Sequence, residues 1–207
     1  MSFWPDRFEM RMQQAILYFG SFNPVHNGHI ALAKAVAGRV PGAQVWFVLS
    51  AQNPFKQQSD LWPEALRETL LKKALESFPE FTFCGAELEL PRPSYTIQTL
   101  NYLKEKHPDT EFSILMGEDN LAGLHKWKEF TRILEECRIW VYPRGEGERG
   151  EPTAYEAMRL FPQRISLLEN LPLLNISSTL IRERIKKGES VAELVPWPEE
   201  TFRHPYD

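Results

Sequence analysis

Short apolar runs alternate with longer amphipathic stretches along the chain, and this alternation restricts the fold more than any other feature. AILYFGS is followed by HIALAKAVAG, and QVWFVLS by PEALRETLLKKALESF. The pattern continues through FTFCGAELEL, TIQTLNYLKEK, EFSILMG, the helical stretch around WKEFTRILEE, then CRIWVYPR, TAYEAMRLF and RISLLEN. Short, nearly continuous apolar runs suit strands buried on both faces, and the stretches between them are long enough to be crossover helices. Repetition of strand and helix in this way builds a mostly parallel sheet with helices on both faces, here of five or six strands. The 207 residues, 43% of them apolar, suffice for one core, so the expectation is a single doubly wound α/β domain over residues 14–207. Residues 1–13 read as a loose leader before the first strand.

A formal net charge of −4 gives no reason to expect nucleic acid or a membrane surface as partner, so an anionic ligand would be held by local groups. Cys84 and Cys137 sit in apolar segments, FTFCGA and ECRIWVY, which suits reduced core thiols in a cytoplasmic protein. No apolar run approaches a membrane span, and MSFWPDRFEMRMQQ lacks the apolar block of a signal peptide. PRGEGERGEP, Pro143 to Pro152, reads as a mobile loop inside the domain. SSTLIRERIKKG predicts a helix that Ser177, Ser178 or Thr179 can cap and Gly188 can end.

The chemistry concentrates at GSFNPVHNGHI, Gly20 to Ile30, just past the first apolar run. In open α/β sheets, ligands bind beyond the carboxyl ends of the strands. Gly20 and Gly28 allow close backbone approach, Pro24 stiffens the turn, and the start of the next helix offers unpaired N–H groups to an anion. His26 and His29 could donate to phosphate oxygens. A plain turn and half a metal site are the competing readings. Against the metal, His107, His125 and His204 are scattered and no cysteine or carboxylate pair lies nearby.

HNGH matches the (H/T)xGH signature of the nucleotidyltransferase superfamily, and GSFNPVHNGH resembles the fuller GxFxPxHxGH form of its adenylyltransferases. ISSTLIR, Ile176 to Arg182, resembles the second signature, ISSTxxR; read alone it is more often an ordinary helix cap with an exposed arginine. PSYTIQTL, MGEDN and LHKW are similar to segments of bacterial nicotinate-nucleotide adenylyltransferases, so that the resemblance runs from Ala15 to about Leu194. It implies a Rossmann-like fold and transfer of adenylate from ATP to nicotinate mononucleotide, giving deamido-NAD and pyrophosphate.

The resemblance further implies ATP contacts at Gly20, Ser21, Phe22, His26, Gly28 and His29, and at Ile176, Ser177, Ser178 and Arg182. Nicotinate mononucleotide would meet Asn23, Lys56, Tyr95, Thr96, Asp119 and Trp127. Trp127 would offer an aromatic face to the cationic ring, the chain at Tyr95 and Thr96 would offer donors to the carboxylate, and Asp119 would accept from ribose hydroxyls. Without the family pattern, Trp127 reads as a core tryptophan, SYT as a helix cap and Asp119 as a turn residue. His26, His29, Lys56 and Arg182 are the candidates for stabilising the transferring phosphate, with a magnesium ion carried by ATP and no dedicated metal site. Phe55 stands where family members often carry a histidine before the lysine. The tail VPWPEETFRHPYD is broken by proline where the family usually has a tyrosine-bearing helix, leaving its packing and any oligomer contact open. The rivals are a phosphopantetheine adenylyltransferase, which needs no pyridine clamp, and a nucleotide sensor without turnover.

Overall fold

The computed structural model describes residues 12–51, 61–143, 157–171, 174–198 and 201. Six strands form one parallel sheet: β1 (Gln13–Gly20), β2 (Ala43–Leu49), β3 (Phe81–Cys84), β4 (Thr110–Gly117), β5 (Arg138–Tyr142) and β6 (Ile165–Leu167), in the order β3-β2-β1-β4-β5-β6. The chain works outward from β1 to β3, then crosses back to lay β4 against the other side of β1. Strand order therefore reverses between β1 and β4, and the crevice beyond their carboxyl ends is where such sheets bind ligands.

Alternation along β1 explains why its apolar run is continuous. Ile16 and Tyr18 face one core with Phe47 of β2, Val36 of α1 (Asn27–Arg39), Leu70 and Leu71 of α2 (Glu64–Leu75), and Ile181 of the last helix. Ala15 and Leu17 face the other, with Ile114 of β4 and the helices of the opposite layer. Each fully buried Leu or Ile contributes about 1.5–3 kcal/mol relative to exposure, so a polar residue on either face of β1 would be costly. The opposite layer holds the short α3 (Ala86–Glu89), α4 (Thr96–Lys106), α5 (Glu118–Ala122) and α6 (Phe130–Glu136); α7 (Ser178–Lys186) returns to the first layer.

Several boundaries differ from the sequence reading. FTFCGAELEL divides, because the strand stops at Cys84 and AELE forms the helical turn α3 after Gly85. The helix expected around WKEFTRILEE starts only at Phe130, since Glu129 takes φ +54 and breaks the chain direction just before it. β1 begins at Gln13, inside the segment read as leader, and residues 1–11 lie outside the described residues. Of the expected loop from Pro143 to Pro152 only Pro143 is described, and of TAYEAMRLF only a helical turn over 157–160 and Phe161. Gly188, at φ +71, follows α7 as expected. Cys84 and Cys137 are buried free thiols, and burial pushes Cys137 up to about 11. Among the described residues no helix is long and apolar enough to cross a membrane.

Candidate active site

A cleft of about 1000 Å³ opens at the carboxyl ends of β1 and β4. Every predicted site residue within the described set lines it: Gly20, Ser21, Phe22 and Asn23 from the loop after β1, His26, Gly28 and His29 at the start of α1, and Ile176, Ser177, Ser178 and Arg182 around the start of α7. Tyr95 and Thr96 at the start of α4, Asp119 in α5 and Trp127 complete the set. Lys56 lies outside the described residues.

The two imidazoles lie on one another, ring centroids 3.7 Å apart and planes 28° apart. The backbone N–H of His26 donates to Nδ1 of His29 at 3.2 Å. That bond fixes Nδ1 as an acceptor, so neutral His29 carries its proton on Nε2. His26 is only 6% exposed, and burial lowers its pKa from 6.5 to about 4. Its Nδ1 is buried without a hydrogen-bond partner, close against Gly28, where a Cβ would come within 2.9 Å. Only glycine leaves room for this ring. Phe22 takes φ +40, uncommon for a residue with a side chain, and its buried ring meets His29 edge-on at 5.1 Å. The Phe22 side chain thus supports His29 from below, and only its backbone could meet a ligand.

Arg182 ties the two signature segments together. Its Nη1 donates to the Asn23 carbonyl at 2.9 Å, and its Nη2 lies 3.5 Å from Thr179 Oγ1. Ser178 Oγ donates to the Pro24 carbonyl at 2.9 Å, so it braces the loop after β1. Ser177 is the cap, its Oγ accepting from the Leu180 amide. The α7 amides without an intrahelical acceptor are therefore those of Ser178 and Thr179. At α1 the Asn27 amide is taken by the Leu194 carbonyl at 2.8 Å, and the Gly28 amide is the next in the turn.

Beyond β4, the Asp119 carboxylate folds back against Gly117, where a Cβ would collide with it and crowd the Tyr142 phenol at 3.3 Å. Trp127 serves two ends at once: it packs half-buried on the core and also lines the cleft. The Tyr95 amide donates to Gln98 Oε1 at 3.1 Å, and so is already engaged. First-turn donors at α4 thus come from Thr96 and Ile97 rather than from Tyr95.

Sequence reasoning missed several residues that shape the cleft. Arg67, 1% exposed, donates through Nη1 to the carbonyls of Ser21 (2.7 Å) and Ser50 (2.9 Å), through Nη2 to Ala51 (3.2 Å) and through Nε to Trp62 (3.1 Å). It clamps the ends of β1 and β2, yet in LRETLLKK it reads as a solvated helix charge. Glu87, buried beside Thr99 Oγ1 at 3.3 Å, lines the cleft with its pKa raised by burial. Trp197 Nε1 donates to the Val25 carbonyl at 3.2 Å, so the proline-broken tail packs under the first signature. Lys126 and Lys128, flanking Trp127, also line the cleft. Among the described residues, no group of three or more His, Cys, Asp or Glu side chains could hold a metal ion.

The strand order, the cleft at the reversal and the paired helix starts define an α/β nucleotidyltransferase. Residues 17–184 match the family described as Cytidylyltransferase-like. A relative from Bacteroides fragilis (strain YCH46), described as a probable nicotinate-nucleotide adenylyltransferase, is 41% identical over 175 residues, covering 84% of this chain and 83% of the relative. One from Flavobacterium johnsoniae with the same description is 40% identical over 182 residues, covering 87% and 90%. The solved structure of the Plasmodium falciparum nicotinic acid mononucleotide adenylyltransferase complexed with NaAD superposes with a TM-score of 0.67 at 20% identity, over 88% of this chain and 90% of that one. The chain belongs to the nicotinate-nucleotide adenylyltransferase family within the cytidylyltransferase-like proteins.

Proposed function

We propose that the protein joins ATP to nicotinate mononucleotide, releasing pyrophosphate and deamido-NAD, and that this is its role in cytoplasmic NAD biosynthesis. The observation that carries the reading is the composition of one cleft, which has a donor-lined anion cradle at the β1–α1 and α7 end and an aromatic face beside a helix start at the α4 end. The relatives' descriptions agree with it. The catalytic unit would include β1 from its start at Gln13, and the two free buried thiols favour a reducing compartment.

In this reaction the 5'-phosphate of the mononucleotide attacks the α-phosphorus of ATP in line, the bond to the β-phosphate oxygen breaks, and pyrophosphate leaves. No side chain need act as nucleophile, so the protein's contribution is positioning and charge stabilisation. The Gly28 amide and Nε2–H of His29 would donate to the α-phosphate as it gains charge. His26, neutral at physiological pH, would position the His29 ring and add a hydrogen bond rather than a fixed charge. Arg182 and the amides of Ser178 and Thr179 would hold the outer phosphates. Lys56 is proposed as a further phosphate contact from the sequence alone. Magnesium would arrive as part of the MgATP substrate and would add its charge to the stabilisation of the transferring phosphate.

At the acceptor end, Trp127 would stack on the pyridinium, Asn23 and Asp119 would orient phosphate and ribose, and the Thr96 amide would meet the carboxylate. Replacing that carboxylate by an amide turns an NH₂ toward a donor. Two such mismatches, at about 1–3 kcal/mol each, should favour the acid by about a hundredfold or more in kcat/KM. Pyrophosphate release with ATP and each of nicotinate mononucleotide, nicotinamide mononucleotide and phosphopantetheine tests the reading. Preference for phosphopantetheine, or no release with any acceptor, would overturn it.

A further inference from the structure

Three acidic side chains lie at or beside the acceptor end of the cleft. Asp119 and Glu87 line it, and Glu118 is buried in the neighbouring turn of α5. Burial raises the pKa of Glu87, and the Asp119 side chain folds back against Gly117 at the end of β4. Two backbone amides at a helix start offer a substrate carboxylate only partial positive charge. Of the two lysines that flank Trp127 and line the cleft, Lys128 is the one that rests on the Tyr95 ring, and the reaction above does not use it.

Lys128 lies just past Trp127, outside any helix, and its Nζ sits 4.8 Å above the centroid of the Tyr95 ring. Tyr95 caps α4 immediately before Thr96, and Tyr95, Thr96, Trp127 and Lys128 all line the cleft. Among the described residues no carboxylate pairs with Lys128. Its ammonium therefore rests on an aromatic face, a weak contact for an exposed lysine, at the lip of the pocket where the acceptor's carboxylate would enter. Held there, it follows Trp127 in the chain and rests on Tyr95, the residue just before the Thr96 amide that would bind the substituent.

We propose that Lys128 is a specificity-determining residue, which attracts the carboxylate of the acid mononucleotide and thereby raises the preference for acid over amide. The inference rests on the acceptor reading above and deepens it. Trp127 serves the ring of both mononucleotides alike, whereas Lys128 acts only on the one that bears a charge. Tyr95 would act through Lys128, its ring fixing where the ammonium waits.

The test compares wild type with Lys128→Met and Lys128→Arg, by kcat/KM for both mononucleotides at saturating ATP and, independently of turnover, by calorimetric titration with each. Lys128 is exposed, so both variants should melt like wild type. Lys128→Met should lose about tenfold in affinity and kcat/KM for the acid, change by less than about twofold for the amide, and leave KM for ATP unaltered. Lys128→Arg should recover most of the loss. Raising salt from about 50 to about 300 mM should weaken acid binding by wild type more than by Lys128→Met. Equal losses for acid and amide would show that Lys128 only packs the wall, and an unaltered acid-to-amide ratio would likewise overturn the proposal. Wild-type protein that binds the acid no better than the amide would sink the acceptor reading itself, and this inference with it.

Discussion

Replacing His26 by Asn should flatten the acid limb of the protein's stability curve. In the folded state burial lowers the His26 pKa from 6.5 to about 4, while in the unfolded chain it returns to its ordinary value. Between those values the unfolded state binds a proton that the folded state refuses, so stability falls as pH falls. Well below both values the loss amounts to about 3 kcal/mol, and between about pH 7 and about pH 5 to about 2 kcal/mol. Glu87 acts in the opposite sense. Its buried carboxyl is held above its ordinary 4.5, so the folded state takes up that proton first and falling pH relieves a cost.

Because Glu87 is common to wild type and His26→Asn, its contribution cancels in their difference. Urea denaturation followed by far-ultraviolet circular dichroism at the two pH values gives the four free energies. Wild type should lose about 2 kcal/mol more than the variant over the interval. The variant will be less stable at pH 7 as well, since it loses the ring stacked on His29, but that offset does not depend on pH. Parallel losses, within about 0.5 kcal/mol, would refute the argument, because a histidine that does not resist protonation is not held in a dry site.

Arg67→Met removes a guanidinium that holds four carbonyls, and after allowing for the cost of burying that charge it should destabilise the protein by roughly 3–5 kcal/mol. A loss under about 1 kcal/mol by urea denaturation would mean that the strand ends hold their shape without it. Arg182→Lys keeps the charge but loses the fork that reaches Asn23 and Thr179, so kcat/KM for ATP should fall about tenfold or more with little change in melting temperature. Unchanged ATP kinetics in that variant would reduce ISSTLIR to a helix cap.

The sheet was legible because β1, β2 and β4 are buried on both faces, which leaves the apolar run unbroken in the sequence. Where burial is shallower the reading slipped. β3 is an edge strand of four residues, and the apolar letters after it, AELEL, went into a helical turn whose outer face carries Glu89. Local geometry was legible where a residue acts on its chain neighbours, as with Gly28 beside the His26 ring and Ser177 capping α7. It was not legible where function depends on a distant partner. Arg67 looks like any charge on an amphipathic helix until its carbonyl partners at residues 21, 50, 51 and 62 are known. The donors at α4 could be located but not assigned, because nothing in SYTIQ says that Gln98 will occupy the Tyr95 amide.

The tail's grip on the first signature has a consequence for synthesis. Asn27 gives its amide to the Leu194 carbonyl and its side chain to Glu193, while the Val25 carbonyl receives the Trp197 indole. A ribosome delivers GSFNPVHNGH early and these partners late, 172 residues apart in the case of Val25 and Trp197. At translation rates of about 5–20 residues per second the loop waits roughly ten to thirty seconds for its last hydrogen bonds. During that interval the nascent chain displays the signature without the geometry, and cannot finish its nucleotide pocket. A message cut short before the codon for residue 193 would yield a polypeptide that still carries both signatures and lacks the brace that shapes the first.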